Sequence, residues 1–225
     1  WIVNFGVKNG LCPGLPFHIK KPPVNNLKTE DLTPEQLKNL LKAIEEDTHD
    51  QAGNMMLMAL YSGLRRGEMF KLKWKHIDFQ RGFITLVAPK GGQDQQIPLN
   101  DQTRELLNNI SRLKGSPFVF PARDGRQRTD INRALKKIKE KAGLPKGFRA
   151  LHGLRHVFAS QLASSGKVDM YVLQRLLTHK DPRMTQRYAH LRDEALKQAS
   201  QLAGEIIDDI NTEKDTKVVG MKKHK

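Results

Sequence analysis

The chain has 225 residues, of which 38% are hydrophobic and 28% are charged, so it is long enough to bury a sizeable core. Its formal net charge of +15, from 39 lysines and arginines against 24 acidic residues, favours a polyanionic partner. The longest apolar run, MMLMALY, is far too short to cross a bilayer, and one cysteine, Cys12, excludes an internal disulfide and a cysteine-based zinc site. We therefore expect a cytoplasmic protein with no membrane partner.

The N-terminal 30 residues contain three glycines and four prolines, a density of chain breakers that is typical of an extended connector. We expect a domain boundary near Asp31. Because the chain begins at Trp1 rather than at methionine, we also expect it to be part of a longer protein.

A capping signal opens the folded region. Thr33 can act as the N-cap, Pro34 suits the first helical position, and Gln36 completes a capping box. The apolar positions that follow at helical spacing predict a buried stripe formed by Leu37, Leu40, Leu41 and Ile44. A second helical stretch covers about residues 51–61, is broken at Ser62-Gly63, and resumes over residues 65–72.

Two short strands are predicted next. The stretch GFITLVAPKGGQDQQIPL alternates in polarity over residues 83–87 and again near Ile97, and a turn at Gly91-Gly92 would join the two runs. This pairing places Lys90 at the tip of a hairpin.

The rest of the chain shows helical periods, over residues 106–110, 131–138 and 151–162. A last amphipathic stretch, 194–210, precedes a lysine-rich tail, 211–225, that we expect to be disordered. The predicted fold class is therefore mainly α with a small antiparallel β-sheet, that is, α+β.

One predicted helix contains His152, Arg155 and His156 on the same side. A histidine pair at this spacing can bind zinc, but no glutamate follows the first histidine, and the arginine between the two would repel a dication. A metal site is therefore the weaker interpretation. The alternative is a histidine pair at the rim of the core with ordinary hydrogen bonds.

Two other segments combine cationic and polar side chains. Arg65 and Arg66 follow the break at Gly63, and Glu68 is placed to hold a guanidinium group. Alone, this pattern also fits a surface ion pair. The segment LTHKDPRMTQRYAH surrounds Tyr188 with cationic side chains, although a single tyrosine is usually an amphipathic rim residue.

Taken together, these motifs resemble the tyrosine recombinases, the phage integrase family. The pattern is an arginine after a Gly-Leu turn, a hairpin lysine, a His-x-x-Arg helix, a later histidine and a tyrosine. The resemblance covers about residues 32–210 and implies the following catalytic residues, with Glu68 in support: Arg65, Lys90, His152, Arg155, His179 and Tyr188. Thr178 departs from the family pattern, which usually has glycine before the later histidine, and Gln95 and Gln96 replace residues that are often basic.

The resemblance also implies the organisation of the chain. Residues 1–30 would be a linker left from a missing N-terminal core-binding region, 31–210 would be the catalytic domain, and 211–225 would be a basic tail. It implies a bacterial or phage-encoded protein that acts as a homo-oligomer, a dimer or tetramer, on double-stranded DNA. The 194–210 helix either packs on its own domain or docks onto a neighbouring protomer.

The implied chemistry is attack of the Tyr188 hydroxyl on a DNA phosphodiester, which gives a 3′-phosphotyrosine ester. Two arginines would clamp the phosphate oxygens, and Lys90 would protonate the leaving 5′-oxygen. His152 would accept the tyrosine proton or bond the phosphate, and His179 would bond a non-bridging oxygen. Such a site needs no metal and no ATP.

Two alternatives share many of these features. A type IB topoisomerase-like enzyme would nick and reseal one duplex with a related set of residues. A DNA-binding module would keep the fold without cleaving. Basic stretches at residues 71–75, 123–128 and 136–146 fit DNA contact in all three cases, and their individual roles stay open.

Overall fold

In the computed structural model of the chain, the structure is described for residues 2–14, 30–49, 51–87 and 92–216. These residues form ten α-helices, three β-strands and two short 3-10 helices at Trp74–His76 and Ala189–Arg192. The helices are α1 (Ile2–Lys8), α2 (Pro34–Glu45), α3 (Ala52–Ser62), α4 (Arg66–Lys71), α5 (Asp101–Asn109), α6 (Asn132–Lys141), α7 (Ala150–Ser164), α8 (Met170–Leu176), α9 (Arg183–Gln186) and α10 (Asp193–Thr216). The strands are β1 (Ile77–Asp78), β2 (Phe83–Leu86) and β3 (Gln95–Pro98).

The N-terminal helix α1 lies within the stretch predicted to be extended, so that prediction is wrong for residues 2–8. Six of the seven glycines and prolines lie at residue 10 or beyond, and the one glycine before them, Gly6, fits inside the helix. The assignment of residues 1–30 as a linker stays a prediction.

Helix α2 begins with the predicted capping box. The Gln36 N–H donates to the Thr33 hydroxyl at 3.2 Å, and the Thr33 N–H donates to the Gln36 side-chain oxygen at 3.0 Å. Leu40 and Ala43 are buried, but Leu41 is 38% exposed, so its predicted burial is wrong. The buried stripe continues through Ala43, an alanine that the apolar pattern did not include.

The centre of the main hydrophobic core is the packing of α3 against α7. Helix α3 is apolar on most of its surface, which is the pattern expected of a helix that is enclosed by its neighbours. Its buried residues include Met55, Met56, Met58 and Ala59, and α7 contributes Leu151, Leu154 and Val157. Helices α2, α5 and α6 pack around this pair.

Gly63 ends α3 and confirms the predicted break. Its φ of +65° lies in the left-handed region, where glycine has no steric penalty. A side chain would also have no room, because a Cβ atom here would lie 2.6 Å from the ring of Phe158. The turn directs the chain so that α4 starts immediately after Arg65.

The sheet is antiparallel, with strand order β1-β2-β3. Strands β2 and β3 confirm the two predicted strands, and their register pairs Ile84 with Ile97. Strand β1 is only two residues long, which is too short for an alternating pattern to indicate. Lys90 and Gly91, which were predicted at the tip of the hairpin, lie outside the described residues.

The C-terminal third contains elements that the sequence pattern did not indicate, the short helices α8 and α9. A second, smaller hydrophobic cluster forms between α7, α8 and the segment after α9; its buried members are Ala159, Ala163, Leu173, Leu177 and Tyr188. The site described below lies where this cluster meets the end of α3.

Helix α10 is longer than predicted. It runs to Thr216, so the predicted disorder is wrong for residues 211–216. Its large apolar side chains are between 49% and 67% exposed: Leu196, Leu202, Ile206, Ile207 and Ile210. The structure therefore does not show these side chains packed on their own domain. Across the described residues, no helix combines the length and the apolar character that a membrane span requires.

Candidate active site

The structure brings five of the six predicted catalytic residues into one region, and Lys90 lies outside the described residues. The five come from the start of α4, from α7, from the turn after α8 and from the segment after α9: Arg65, His152, Arg155, His179 and Tyr188. Hydrogen bonds between these segments hold the region together.

Arg65 is the inward-facing member of the double arginine. Its guanidinium group lies 2.9 Å from a Glu68 carboxylate oxygen, and the other oxygen of Glu68 accepts the Arg65 N–H at 2.8 Å. The same guanidinium group donates to the Thr178 hydroxyl at 2.5 Å. Arg66 points outward, where it donates to Asn132 at 3.0 Å.

Thr178 occupies a backbone conformation that favours glycine. Its φ is +51°, and it is the residue after the C-cap of α8. The Thr178 N–H bonds the Arg175 carbonyl and the His179 N–H bonds the Gln174 carbonyl, each at 3.0 Å, which is the Schellman pattern. The usual glycine of the family pattern suits this turn, and here the threonine hydroxyl binds Arg65 instead.

Arg155 is 5% exposed and joins the ends of two helices. Its guanidinium group donates to the Gly63 carbonyl at 2.5 Å and to the Leu177 carbonyl, both at helix C-termini, where carbonyls carry negative partial charge. Burial, followed by the nearby Arg65 charge, lowers the pKa of Arg155 to about 10, so the group stays protonated at neutral pH. The guanidinium group has more N–H donors than these two carbonyls use.

Tyr188 is a buried residue rather than the surface rim residue that a lone tyrosine usually is. It is 1% exposed, and its ring belongs to the second hydrophobic cluster. Its hydroxyl lies 2.5 Å from His156 Nδ1, and His156 Nε2 lies 3.0 Å from His152 Nε2. A hydroxyl at this depth is shielded from a DNA phosphate, so the attack that the family resemblance implies would require the elements that cover Tyr188 to open.

The surroundings of Tyr188 and His156 determine the protonation state of each. Burial raises the pKa of Tyr188, against the opposing effects of Arg187 and Arg155. Burial and the neighbouring His152 lower the pKa of His156 to about 3. At neutral pH the tyrosine is therefore protonated and His156 is neutral, so the hydroxyl donates its hydrogen bond to Nδ1.

His156 is the residue that the motif comparison did not place in the site. The sequence contained a signal, because His156 follows Arg155 directly and lies one helical turn after His152. Only the fold shows that its ring stands between His152 and the tyrosine.

His179 lies beside the two arginines. Its Nδ1 is 2.9 Å from the Thr185 hydroxyl on α9. Burial, followed by the positive charges of Arg155 and Arg65, lowers the pKa of His179 to about 3. The ring is therefore neutral at neutral pH, and Thr185 fixes its orientation.

The weaker interpretation of His152 and His156 as a metal site finds no third ligand among the residues the structure describes. In that part of the chain there is no group of three or more histidine, cysteine or acidic side chains that could hold a metal ion. The two rings meet nitrogen to nitrogen at 3.0 Å, which is a hydrogen-bond distance.

Two grooves lined by cationic side chains lie on either side of α6, and the smaller one reaches the site. One, of about 370 Å³, adjoins His152 and is lined by Arg66, Lys136, Lys139 and Arg149 among others. A larger cleft, of about 1460 Å³, shares Lys136 with this groove. Its other cationic lining residues are Arg112, Arg123, Arg128, Arg133 and Lys137. Both grooves contain residues of the basic stretch at 136–146, and the larger cleft also contains residues of the stretch at 123–128.

The sequence pattern of the Phage integrase family matches residues 30–195, well over half of the chain. The chain belongs to the phage integrase family. This confirms the resemblance to the tyrosine recombinases, and the α+β fold class agrees with the solved structures of the family.

Members of the phage integrase family that resemble this chain include tyrosine recombinase XerA of Pyrococcus furiosus, which is 30% identical over 193 residues, 82% of this chain and 65% of the relative. Tyrosine recombinase XerD of Vibrio vulnificus is 32% identical over 181 residues, 75% of this chain and 59% of the relative. The chain therefore spans less than two thirds of the length of these two relatives.

Solved structures of phage integrase proteins share the fold. The Tn1549 transposon integrase in complex with circular intermediate DNA matches with a TM-score of 0.66 and 23% identity, over 78% of this chain and 67% of that one. The catalytic domain of bacteriophage HP1 integrase matches with a TM-score of 0.58 and 25% identity, over 76% of this chain and 93% of that one.

Proposed function

We propose that this chain is the strand-cleaving part of a site-specific DNA recombinase or integrase, which cuts and rejoins DNA through a 3′-phosphotyrosine intermediate without metal or ATP. One observation carries the proposal. The guanidinium groups of Arg65 and Arg155, two histidines and the hydroxyl-bearing Tyr188 converge from distant parts of the sequence.

The arginines suit a phosphoryl-transfer transition state. Attack on a phosphodiester builds negative charge on the non-bridging oxygens, and fixed cationic donors stabilise that charge. Arg65 is held by Glu68 and Thr178, and Arg155 is held by two helix-end carbonyls, so both groups are positioned before DNA arrives. Preorganised donors lose little conformational freedom when the phosphate binds.

The remaining residues supply nucleophile and proton transfers. Tyr188 attacks phosphorus once its hydroxyl is unshielded. The phosphotyrosine ester keeps the energy of the broken phosphodiester bond, so rejoining needs no ATP. Lys90 protonates the leaving 5′-oxygen. The neutral His179 ring, oriented by Thr185, donates to a non-bridging oxygen, and His152 stands at the exposed edge of the site.

The cationic groove beside His152 and the larger cleft across α6 support double-stranded DNA as the partner. The net charge of +15 and the position of the grooves on both sides of α6 fit contacts to the phosphate backbone. The named relatives are recombinases and an integrase, which favours this reaction over the topoisomerase-like alternative.

The same reaction needs more than one active site, and α10 supports a homo-oligomer, a dimer or tetramer on DNA. Its exposed apolar side chains between residues 196 and 210 form a face that its own domain does not cover. We propose that this face docks onto a neighbouring protomer.

Covalent capture tests the proposed reaction. The protein is incubated with a pool of nicked duplexes of randomised sequence, in which cleavage next to the nick releases a short strand and traps the adduct. Wild type and Tyr171→Phe, at an exposed tyrosine, should yield protein–DNA adducts on denaturing gels, and Tyr188→Phe should yield none. Equal adduct from wild type and Tyr188→Phe, or none from wild type, contradicts the proposal.

A further inference from the structure

The buried hydroxyl of Tyr188 raises a question that the expected roles of the family residues do not answer, namely where its proton goes. A phenol must lose its proton as it attacks phosphorus, and a 1% exposed tyrosine gives bulk water no access to that proton. The hydroxyl is hydrogen-bonded to His156, whereas His152, the residue expected to accept the proton, bonds only the far side of the His156 ring.

We propose that His156 is a catalytic residue that takes the proton of Tyr188 and passes it to His152, which releases it at the surface. The proposal rests on the proposed strand-cleavage function and adds a residue to it. Its basis is a continuous chain of two hydrogen bonds, 2.5 Å from the Tyr188 hydroxyl to His156 Nδ1 and 3.0 Å from His156 Nε2 to His152 Nε2.

The geometry fits one arrangement of protons. The hydroxyl donates to Nδ1 of a neutral His156, so the His156 proton lies on Nε2 and points at His152. His152 accepts at its own Nε2 and therefore has its proton on Nδ1. Both histidines lie on α7, one turn apart, so the helix fixes their separation.

The transfer balances without a further reactant. The Tyr188 proton moves to His156 Nδ1 as the His156 Nε2 proton moves to His152, and the phenolic oxygen forms the new bond to phosphorus. The bond from phosphorus to the 5′-oxygen breaks, and that oxygen takes a proton from Lys90. His156 ends neutral with its proton on Nδ1, and His152 ends as an imidazolium ion that returns its proton to water or supplies the reverse reaction.

This path suits the buried position of His156. Its pKa of about 3 disfavours a stable positive charge on the ring, and a ring that gains one proton while losing another never carries that charge. His152 is exposed, so water reaches the positive charge that forms there, although partial burial and the Arg149 charge lower the pKa of His152.

The first test separates proton transfer from hydrogen bonding. His156→Asn places an amide oxygen near the position of Nδ1, so it can still accept the Tyr188 hydrogen bond but cannot take the proton. Since a general base contributes about 10²–10⁴-fold, we expect adduct formation with a captured nicked duplex to slow by roughly 100-fold in single-turnover measurements. The matched control is His76→Asn, at a histidine whose Nδ1 accepts the Lys73 N–H outside the site.

The second test makes the base unnecessary. A ring-fluorinated tyrosine at position 188 has a more acidic phenol and needs less help in losing its proton. We expect it to reduce the His156→Asn defect at least tenfold. A His156→Asn defect that the fluorinated tyrosine does not reduce would overturn the relay. So would a His156→Asn protein that cleaves as fast as or faster than wild type, because the hydrogen bond would then only hold Tyr188 in its shielded position.

A second variant covers the case in which His156→Asn does not fold. If His156→Asn unfolds, as circular dichroism and melting would reveal, His152→Asn tests the outer half of the relay at an exposed position. Its defect should also shrink with the fluorinated tyrosine, and an equal defect with both tyrosines would overturn the relay. A wild-type protein that forms no adduct contradicts the proposed function, whereas a wild-type adduct with no rescue contradicts the relay alone.

Discussion

Replacement of Arg155 by lysine tests how the site is held together as well as how it works. The guanidinium group bonds two carbonyls that belong to different helix ends, Gly63 after α3 and Leu177 after α8. Two nitrogens at a fixed spacing make these bonds, whereas lysine has one ammonium nitrogen. Arg155→Lys can therefore keep at most one of the two contacts in its present geometry.

The expected cost follows from burial. Arg155 is 5% exposed, so water cannot readily replace the lost partner, and a hydrogen bond from a charged donor contributes about 1.5–3 kcal/mol. We expect Arg155→Lys to lower the free energy of unfolding by about 2–3 kcal/mol. For a protein of this size that corresponds to a fall in Tm of roughly 4–12 °C. Burial would also lower the pKa of the lysine, which begins below that of arginine.

Urea unfolding followed by circular dichroism measures the loss, and covalent capture measures the chemistry of the folded fraction. The control is Arg183→Lys, at an exposed arginine that pairs with Asp181, and it should change stability by less than about 0.5 kcal/mol. If Arg155→Lys is as stable as this control and forms adduct at the wild-type rate, Arg155 neither joins the helix ends nor clamps the phosphate.

Three further predictions concern the turn at Thr178, acid stability and salt. Thr178→Gly and Thr178→Val both lose the hydroxyl bond to Arg65, but only glycine relieves the left-handed φ of +51°. Thr178→Gly should therefore be about 1 kcal/mol more stable than Thr178→Val in urea unfolding. Equal stability of the two variants would contradict backbone strain at this position. His156 and His179 have pKa values of about 3 when folded and near 6.5 when unfolded, so the unfolded chain binds more protons between these values. Tm should therefore fall as the pH drops below about 6.5, with a shallower fall in His156→Asn, and a Tm that stays level between pH 7 and pH 5 would refute this. DNA binding, followed by fluorescence anisotropy, should weaken by about 10³–10⁵-fold between 50 and 200 mM salt if roughly six to ten phosphates are contacted, and a flat response would argue against backbone contacts.

Local signals in the sequence were enough for the elements whose boundaries depend on nearby residues. The capping box at Thr33 and the break at Gly63 were predicted because each depends on residues within one turn. Strands β2 and β3 followed from their alternating pattern. Helices α8 and α9 were missed because, at seven and four residues, they are too short to show a periodic stripe.

The burial of particular side chains was less predictable. Leu41 belongs to an apolar pattern yet lies on the solvent side, whereas Tyr188 lies among charged residues yet is buried. In both cases the outcome depends on which distant element covers the residue. Tyr188 is covered in part by α7, which ends more than 20 residues earlier in the chain.

By itself, the sequence determined the family, the mainly helical fold class and the identity of the residues expected to do the chemistry, because residue types in a fixed order are a property of the chain alone. Only the tertiary structure decided which arginine of the pair turns inward, that Thr178 binds Arg65 from a left-handed turn, and that Tyr188 is shielded with its hydroxyl on His156. These features depend on contacts between segments separated by 32 to 113 residues, and such contacts exist only once hydrophobic packing has placed the helices side by side.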